Sequence, residues 1–147
     1  MRKEIFLLLI IFLLLLIYIF IPEEKKESEE ESLEKRAVFI SYIELHNNLR
    51  GKDTKEMKNT IDEMLDNAKD FGFNMIILQV RAFSDAIYPS SIFPSSRSIV
   101  NNEGDSLPFD VLEYFIKKAH QKNLELHAWI NPYRISNDTD TSLISKN

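Results

Sequence analysis

The sequence predicts an α/β fold, a parallel sheet with its helices outside, and within that class the opening part of a (β/α)8 barrel. Three observations lead there. Strand-like and helix-like segments alternate as strand, helix, strand, helix, strand, with about 40 to 50 residues per repeat, and right-handed crossovers turn that order into a parallel sheet. The middle strand, Met75 to Val80, is almost unbroken apolar sequence, as suits a strand covered on both faces. Polar side chains then gather on one alternate set near the carboxyl ends of the second and third strands. A doubly wound open sheet fits the element order equally well. The one-sided polarity favours the barrel, whose strands turn one face to a lumen and carry function at that end.

The elements follow in order. Ile5 to Ile21 is an uninterrupted apolar run of 17 residues, preceded by Arg2 and Lys3 and closed by Pro22. As a helix it would be ~26 Å long, just short of the ~30 Å bilayer core. No small-residue cleavage site follows. Residues 1–22 are therefore expected to be an uncleaved signal anchor, with a cleaved signal peptide and a buried core helix as the alternatives. The basic residues before the span and the acid after it place the amino end in the cytoplasm and the rest outside. The expected location is the cell membrane, crossed once through residues 5–21, or the exterior if the segment is cut. Residues 23–35 hold seven Glu and three Lys, net −4 of the chain's −5, and read as an acidic linker without a core of its own.

Residues 36–147 are expected to form the domain. Arg36 to Ile43 is β-branched and aromatic and reads as the first strand. Asp53 with Glu56 forms a capping box, and Met57, Ile61, Met64, Leu65, Ala68 and Phe71 repeat at helical spacing up to a stop at Gly72. After the second strand, Phe83 to Phe109 holds three of the five prolines and reads as a long irregular connection, of the kind that is functional or mobile. Asp110 and Glu113 open the next helix, with Leu112, Phe115, Ile116 and Ala119 on its apolar stripe and Asn123 as a left-handed stop. In the third strand Leu124, Leu126, Ala128 and Ile130 are expected to face an apolar layer. Glu125, His127, Trp129 and Asn131 are expected on the other face, as are Gln79 and Arg81 of the second strand.

Four blocks carry a family resemblance: Arg36-Ala-Val-Phe-Ile-Ser-Tyr, Met64-Leu-Asp-Asn-Ala-Lys-Asp-Phe-Gly-Phe-Asn, Gln79-Val-Arg-Ala-Phe-Ser-Asp-Ala-Ile-Tyr-Pro-Ser and Leu126-His-Ala-Trp-Ile-Asn-Pro-Tyr-Arg. In that order and spacing they resemble the glycosyl hydrolase-like 10 family, bacterial exported (β/α)8 proteins grouped with glycoside hydrolases. Phe39 stands where the family more often has Trp, and Asn123 where it more often has Gly. The resemblance covers about Arg36 to Ser136 and implies the first three of eight strands. It implies a glycan substrate, with cell-envelope peptidoglycan strands the expected one, and catalytic carboxylates on later strands.

On these grounds Arg81, Asp85, His127, Trp129, Asn131 and Arg134 are the candidate substrate-binding residues. Trp129 would stack on a sugar ring, His127 would donate to it, and Asn131 would offer a donor and an acceptor to a diol. Asp85, four residues after Arg81, would be held ionised by it and accept from a sugar hydroxyl. Arg134 lies just past Pro132, where barrel loops carry function. No other His or Cys stands at metal spacing from His127, and the chain has no cysteine and three glycines, so neither a metal nor a cofactor is expected. Without a basic cluster, nucleic acid is not an expected partner. A glycan-binding or scaffolding module without turnover is the alternative function.

Overall fold

The computed structural model describes residues 34–136, together with residue 4 and residues 11–13. The expected membrane span at 5–21 and the acidic linker at 23–35 thus lie almost wholly outside the described residues. Among the described residues no helix is long and apolar enough to cross a membrane. The chain divides into two compact units, Met1–Glu34 and Lys35–Asn147, and the second holds the sheet.

Six elements build it: β1 (Ala37–Ile40), α1 (Tyr42–Leu49), α2 (Thr54–Asp70), β2 (Met75–Arg81), α3 (Val111–Gln121) and β3 (Glu125–Ile130). The strands lie in the order β1-β2-β3, every pair parallel. Ala37 pairs with Met75 and Met75 with Glu125, so the three strands start level. This mixed α/β arrangement is consistent with the beginning of a (β/α)8 barrel.

The structure has one helix more than the expected two, and the first strand is shorter than expected, ending at Ile40 and not at Ile43. The cause is local. Ser41 accepts from the Ile43 amide at 3.2 Å while Glu44 accepts from the Ser41 amide at 2.9 Å, a reciprocal capping box that starts a helix inside an otherwise β-prone run. The hydroxyl of Ser41 also donates to Glu44, and this hydrogen bond, foremost, holds the Glu44 carboxyl below its ordinary range against the opposing effect of partial burial.

The other helices begin and end as expected. Asp53 caps the Glu56 amide at 2.8 Å and Asp110 the Glu113 amide at 2.9 Å. Gly72, at φ 80, and Asn123, at φ 54, both reverse the chain in the left-handed region. Around them Phe73 and Leu124 donate to the carbonyls of Ala68 and Ala119, the paired end-bonds of a Schellman motif. Two stripe assignments shift. Phe71 is a C-cap residue and is 81% exposed, and in α3 the buried line runs through Val111, Phe115 and Ala119 while Ile116 is exposed.

The core lies between the helices and one face of the sheet. Ile40, Ile76, Leu78 and Val80 meet Leu45, Leu49, Ile61, Leu65 and Phe115 there, with Val38 and Leu126 at its margin. Ala128 and Ile130, expected against an apolar layer, are exposed. On the opposite face Phe39 is 60% exposed and His127 is exposed too, so the sheet has one face covered by helices over β1 and β2 and one open face.

The connection after β2 is irregular, as expected, but it is packed. Ala86 donates to Pro94 and Ser96 to Ala86, and Ile87, Ile99 and Val100 join the core. Ile87 also donates to the Val80 carbonyl, tying the loop back to the end of β2.

Replacing Ser41 with Ala should destabilise the fold by about 1 kcal/mol, measurable by chemical denaturation. Because the folded Glu44 carboxyl is depressed, its contribution is complete above the ordinary value of 4.5 and disappears as pH falls through the lower folded value. The stability gap between wild type and Glu44→Gln should therefore narrow below pH 4.5. At the other helix end, Asn123→Ala should cost about 1 kcal/mol or more, whereas Asn123→Gly should be neutral or stabilising in the same assay.

Candidate functional site

The open face ends in a group of rings and polar side chains at the carboxyl ends of all three strands. Beyond β1 comes Tyr42, at the end of β2 Gln79 with Phe83 just after, and from β3 come Trp129, Asn131 and Arg134. Parallel pairing sets these level: Phe39, Ile77 and His127 form one row across the sheet, and Gln79 and Trp129 share the next. Side chains in a row share a face. The Phe39 and Trp129 rings meet edge to face, centroids 5.9 Å apart, across the intervening strand β2.

Trp129 is half-buried and its orientation is braced. Its indole Nε1 donates to Asn131 Oδ1 at 2.9 Å, and Asn131 Nδ2 donates to the Ala82 carbonyl at 3.2 Å. The Asn131 amide also donates from its backbone to Arg81 at 3.0 Å, prolonging the β2–β3 pairing. Both ends of the Asn131 side chain are thereby engaged within the protein, so its geometry is that of a brace and differs from the free donor and acceptor expected for a diol.

Arg134 packs its guanidinium 4.7 Å from the Phe83 ring centroid and 5.5 Å from that of Tyr42, and those two rings meet edge to face at 5.0 Å. A backbone bond from Ser84 to Ile135, 3.4 Å, fastens the segment after β3 to the segment after β2. Tyr133, in contrast, is 94% exposed.

Arg81 departs from strict alternation. The register shifts between Gln79 and Arg81, so that Gln79 lies beside Trp129 but Arg81 beside Ile130. Arg81 therefore does not continue the Gln79 row, as expected from counting by twos; one added residue re-aims every side chain after it. Its guanidinium instead lies 3.5 Å from the Phe93 ring centroid, and its Nε is buried without a hydrogen-bond partner. Asp85 is 4% exposed and accepts from the Phe83 amide at 3.1 Å. The expected Arg81–Asp85 ion pair is not formed. The two-residue spacing of Asp85 to Phe83 instead closes a local turn around the carboxylate.

His127 shares the open face, level with Phe39 and one row before Trp129. It is exposed and faces Glu125 at 3.4 Å. The hydrogen bond from Lys35 and, second, that from His127 hold the Glu125 carboxyl below its ordinary range. Among the described residues no set of His, Cys, Asp and Glu side chains could hold a metal ion.

Sequence reasoning missed Tyr42 and Phe83 as members of the group, and it put Gln79 on the right face without naming it a candidate. Tyr42 was hidden because the strand was read through it, and the Ser41-x-x-Glu44 box was the signal that could have separated them. Gln79 is 1% exposed, and its Oε1 accepts from the Tyr42 amide at 2.9 Å. That amide is the first of α1, which has no partner within its own helix, so β2 completes the cap of the helix that follows β1.

Comparison with known proteins adds the family context. The glycosyl hydrolase-like 10 family profile matches residues 34–147. Glycosyl hydrolase YngK of Bacillus subtilis is 38% identical over 98 residues, 66% of this chain and 19% of its own length. Glycosyl hydrolase DigH of Escherichia coli K12 is 33% identical over 82 residues, 56% of this chain and again 19% of the relative. The chain thus spans about a fifth of the length of these curated relatives.

Trp129 is the single tryptophan of the 147 residues, which makes the brace directly observable. Asn131→Ala should release the indole N–H into water and shift the emission maximum to longer wavelength. Lys52→Ala, remote from the group, should leave the spectrum unchanged.

Proposed function

The chain belongs to the glycosyl hydrolase-like 10 family, and from that premise we propose that it forms the opening strands of a (β/α)8 glycoside hydrolase acting on cell-envelope glycan, with peptidoglycan strands as the substrate. The observation that carries this reading is the Phe39–Trp129 ring pair on the open face, next to a braced polar group at the carboxyl ends of the strands. In parallel barrels that end is where substrates bind, and paired aromatic faces with few fixed polar groups are how a site of mixed apolar and hydroxyl character is read.

The division of labour follows from the geometry. Trp129 stacks on a sugar ring, and Asn131 holds the indole at its angle. Arg134, propped by Phe83 and Tyr42, and Arg81, propped by Phe93, direct guanidinium donors at ring oxygens and hydroxyls or at a carboxylate of the glycan. Asp85 shapes the loop after β2 and offers its remaining lone pairs to a hydroxyl. His127 lines the open face lower down. Glycoside hydrolysis needs two carboxyl groups ~5 to 9.5 Å apart; Asp85 is committed to the Phe83 amide and Glu125 lies at the far end of its strand, so the pair is assigned to sequence outside residues 34–136. Residues 5–21 anchor the protein in the membrane with the domain on the extracytoplasmic side, which keeps the site beside an envelope substrate. The apolar run after Arg2 and Lys3 supports this.

The same commitment of the nearby carboxylates favours one second reading, a glycan-binding module without turnover. Incubation of the full-length protein with purified peptidoglycan glycan strands separates the two. Shortened products support the hydrolase, and retention without shortening supports the binder. Trp129→Ala should weaken retention at least tenfold with the fold intact, and neither products nor retention by the wild type would refute both readings.

A further inference from the structure

The open face of β2 consists of Met75, Ile77 and Gln79, and Gln79 is its single polar side chain. It is almost wholly enclosed, at 1% exposure. The Tyr42 backbone N–H, which can only donate, contacts it at 2.9 Å, so the contacting atom must be the carbonyl oxygen. This fixes the amide rotor: Oε1 points at the start of α1 and Nε2 points away from it. Among the described residues no group accepts from Nε2, and it is not one of the atoms buried without a partner.

No described neighbour accepts from that donor. The Trp129 N–H is itself a donor and is taken by Asn131, whose own amide is taken by the Ala82 carbonyl. Phe39 meets Trp129, and Tyr42 and Phe83 meet each other and Arg134, through their rings; the Tyr42 hydroxyl, which could accept, makes no bond with Gln79 among the described residues. One end of this amide is held by the helix start and the other keeps an uncommitted donor at the base of the open face.

We propose that Gln79 is a substrate-binding residue: its Nε2 donates to an oxygen of the sugar held against the Phe39–Trp129 rings, a hydroxyl or an acetamido carbonyl. This rests on the glycan reading of the site. The two ends of the amide then have separate duties. Oε1 fastens α1 to β2 and sets the Tyr42 ring beneath Arg134, while Nε2 recognises an acceptor on the ligand.

Two variants of the full-length protein separate these duties. Gln79→Glu keeps an acceptor for the Tyr42 amide but, once ionised at alkaline pH, loses the donor, with enclosure raising the pH that this requires. Gln79→Met loses both. Gln79→Glu encloses a charge and should lose some stability, but in its folded state it should bind peptide-free peptidoglycan strands at least tenfold more weakly, and Gln79→Met should bind as weakly. Wild-type affinity in Gln79→Glu would overturn the proposal and leave Gln79 a helix anchor only.

A second measurement needs no variant. In the isotope-labelled wild type, the Gln79 side-chain NH2 signals should move as glycan strands are added. Movement of the Trp129 indole signal without them would overturn the proposal even though the glycan reading stood. A wild type that binds no glycan at all would remove the premise, and the proposal with it.

Discussion

The parallel register of β2 with a strand on each side is the constraint on which the rest depends. Helices that return the chain between parallel strands cover one face of the sheet, so the side chains of the other face must be accounted for separately. Here the covered face takes Ile40, Ile76, Leu78 and Val80 into a continuous apolar core with α1, α2 and α3. The opposite face carries Phe39, His127, Gln79 and Trp129, set level by pairing alone. Because the strands start together and run the same way, whatever follows their last residues is delivered to one end. Tyr42, Phe83 and Arg134 are far apart in sequence and meet there for that reason.

Much of this was legible before any coordinates. The capping residues Asp53 and Asp110, the left-handed stops at Gly72 and Asn123 and the continuous apolar run of β2 each carry a local physical signal, and local signals survive folding. What escaped the sequence was of two kinds. Strand propensity in Val38, Phe39, Ile40, Tyr42 and Ile43 concealed a helix start that needed only Ser41 and Glu44 to specify it. The register shift after Gln79 has no signature in the sequence, because it arises from the pairing of two strands and the loop that follows one of them.

That shift also redistributes the candidate residues. Trp129, Asn131 and Arg134 come together with unassigned partners, whereas Arg81 is turned onto Phe93, Asp85 is drawn into a turn and His127 stays with Glu125. Charge and hydrogen bonding thus divide the group into groups already spent on holding the architecture and groups with capacity left. Asn131 belongs to the first kind and Gln79 straddles the two. A residue type alone could not have told them apart, since both are amides on the same face. Family membership gives the group a chemical context, and the chain spans 19% of the length of these relatives.

The central claim is that the open face at the carboxyl ends of β1, β2 and β3 receives a sugar. A crystal structure of the full-length protein with a glycan oligomer tests it most directly. A pyranose ring is expected to lie on Trp129, with one of its oxygens within hydrogen-bond distance of the amide nitrogen on the neighbouring strand. An oligomer bound elsewhere, with Phe39 and Trp129 packed beneath other side chains, would contradict it.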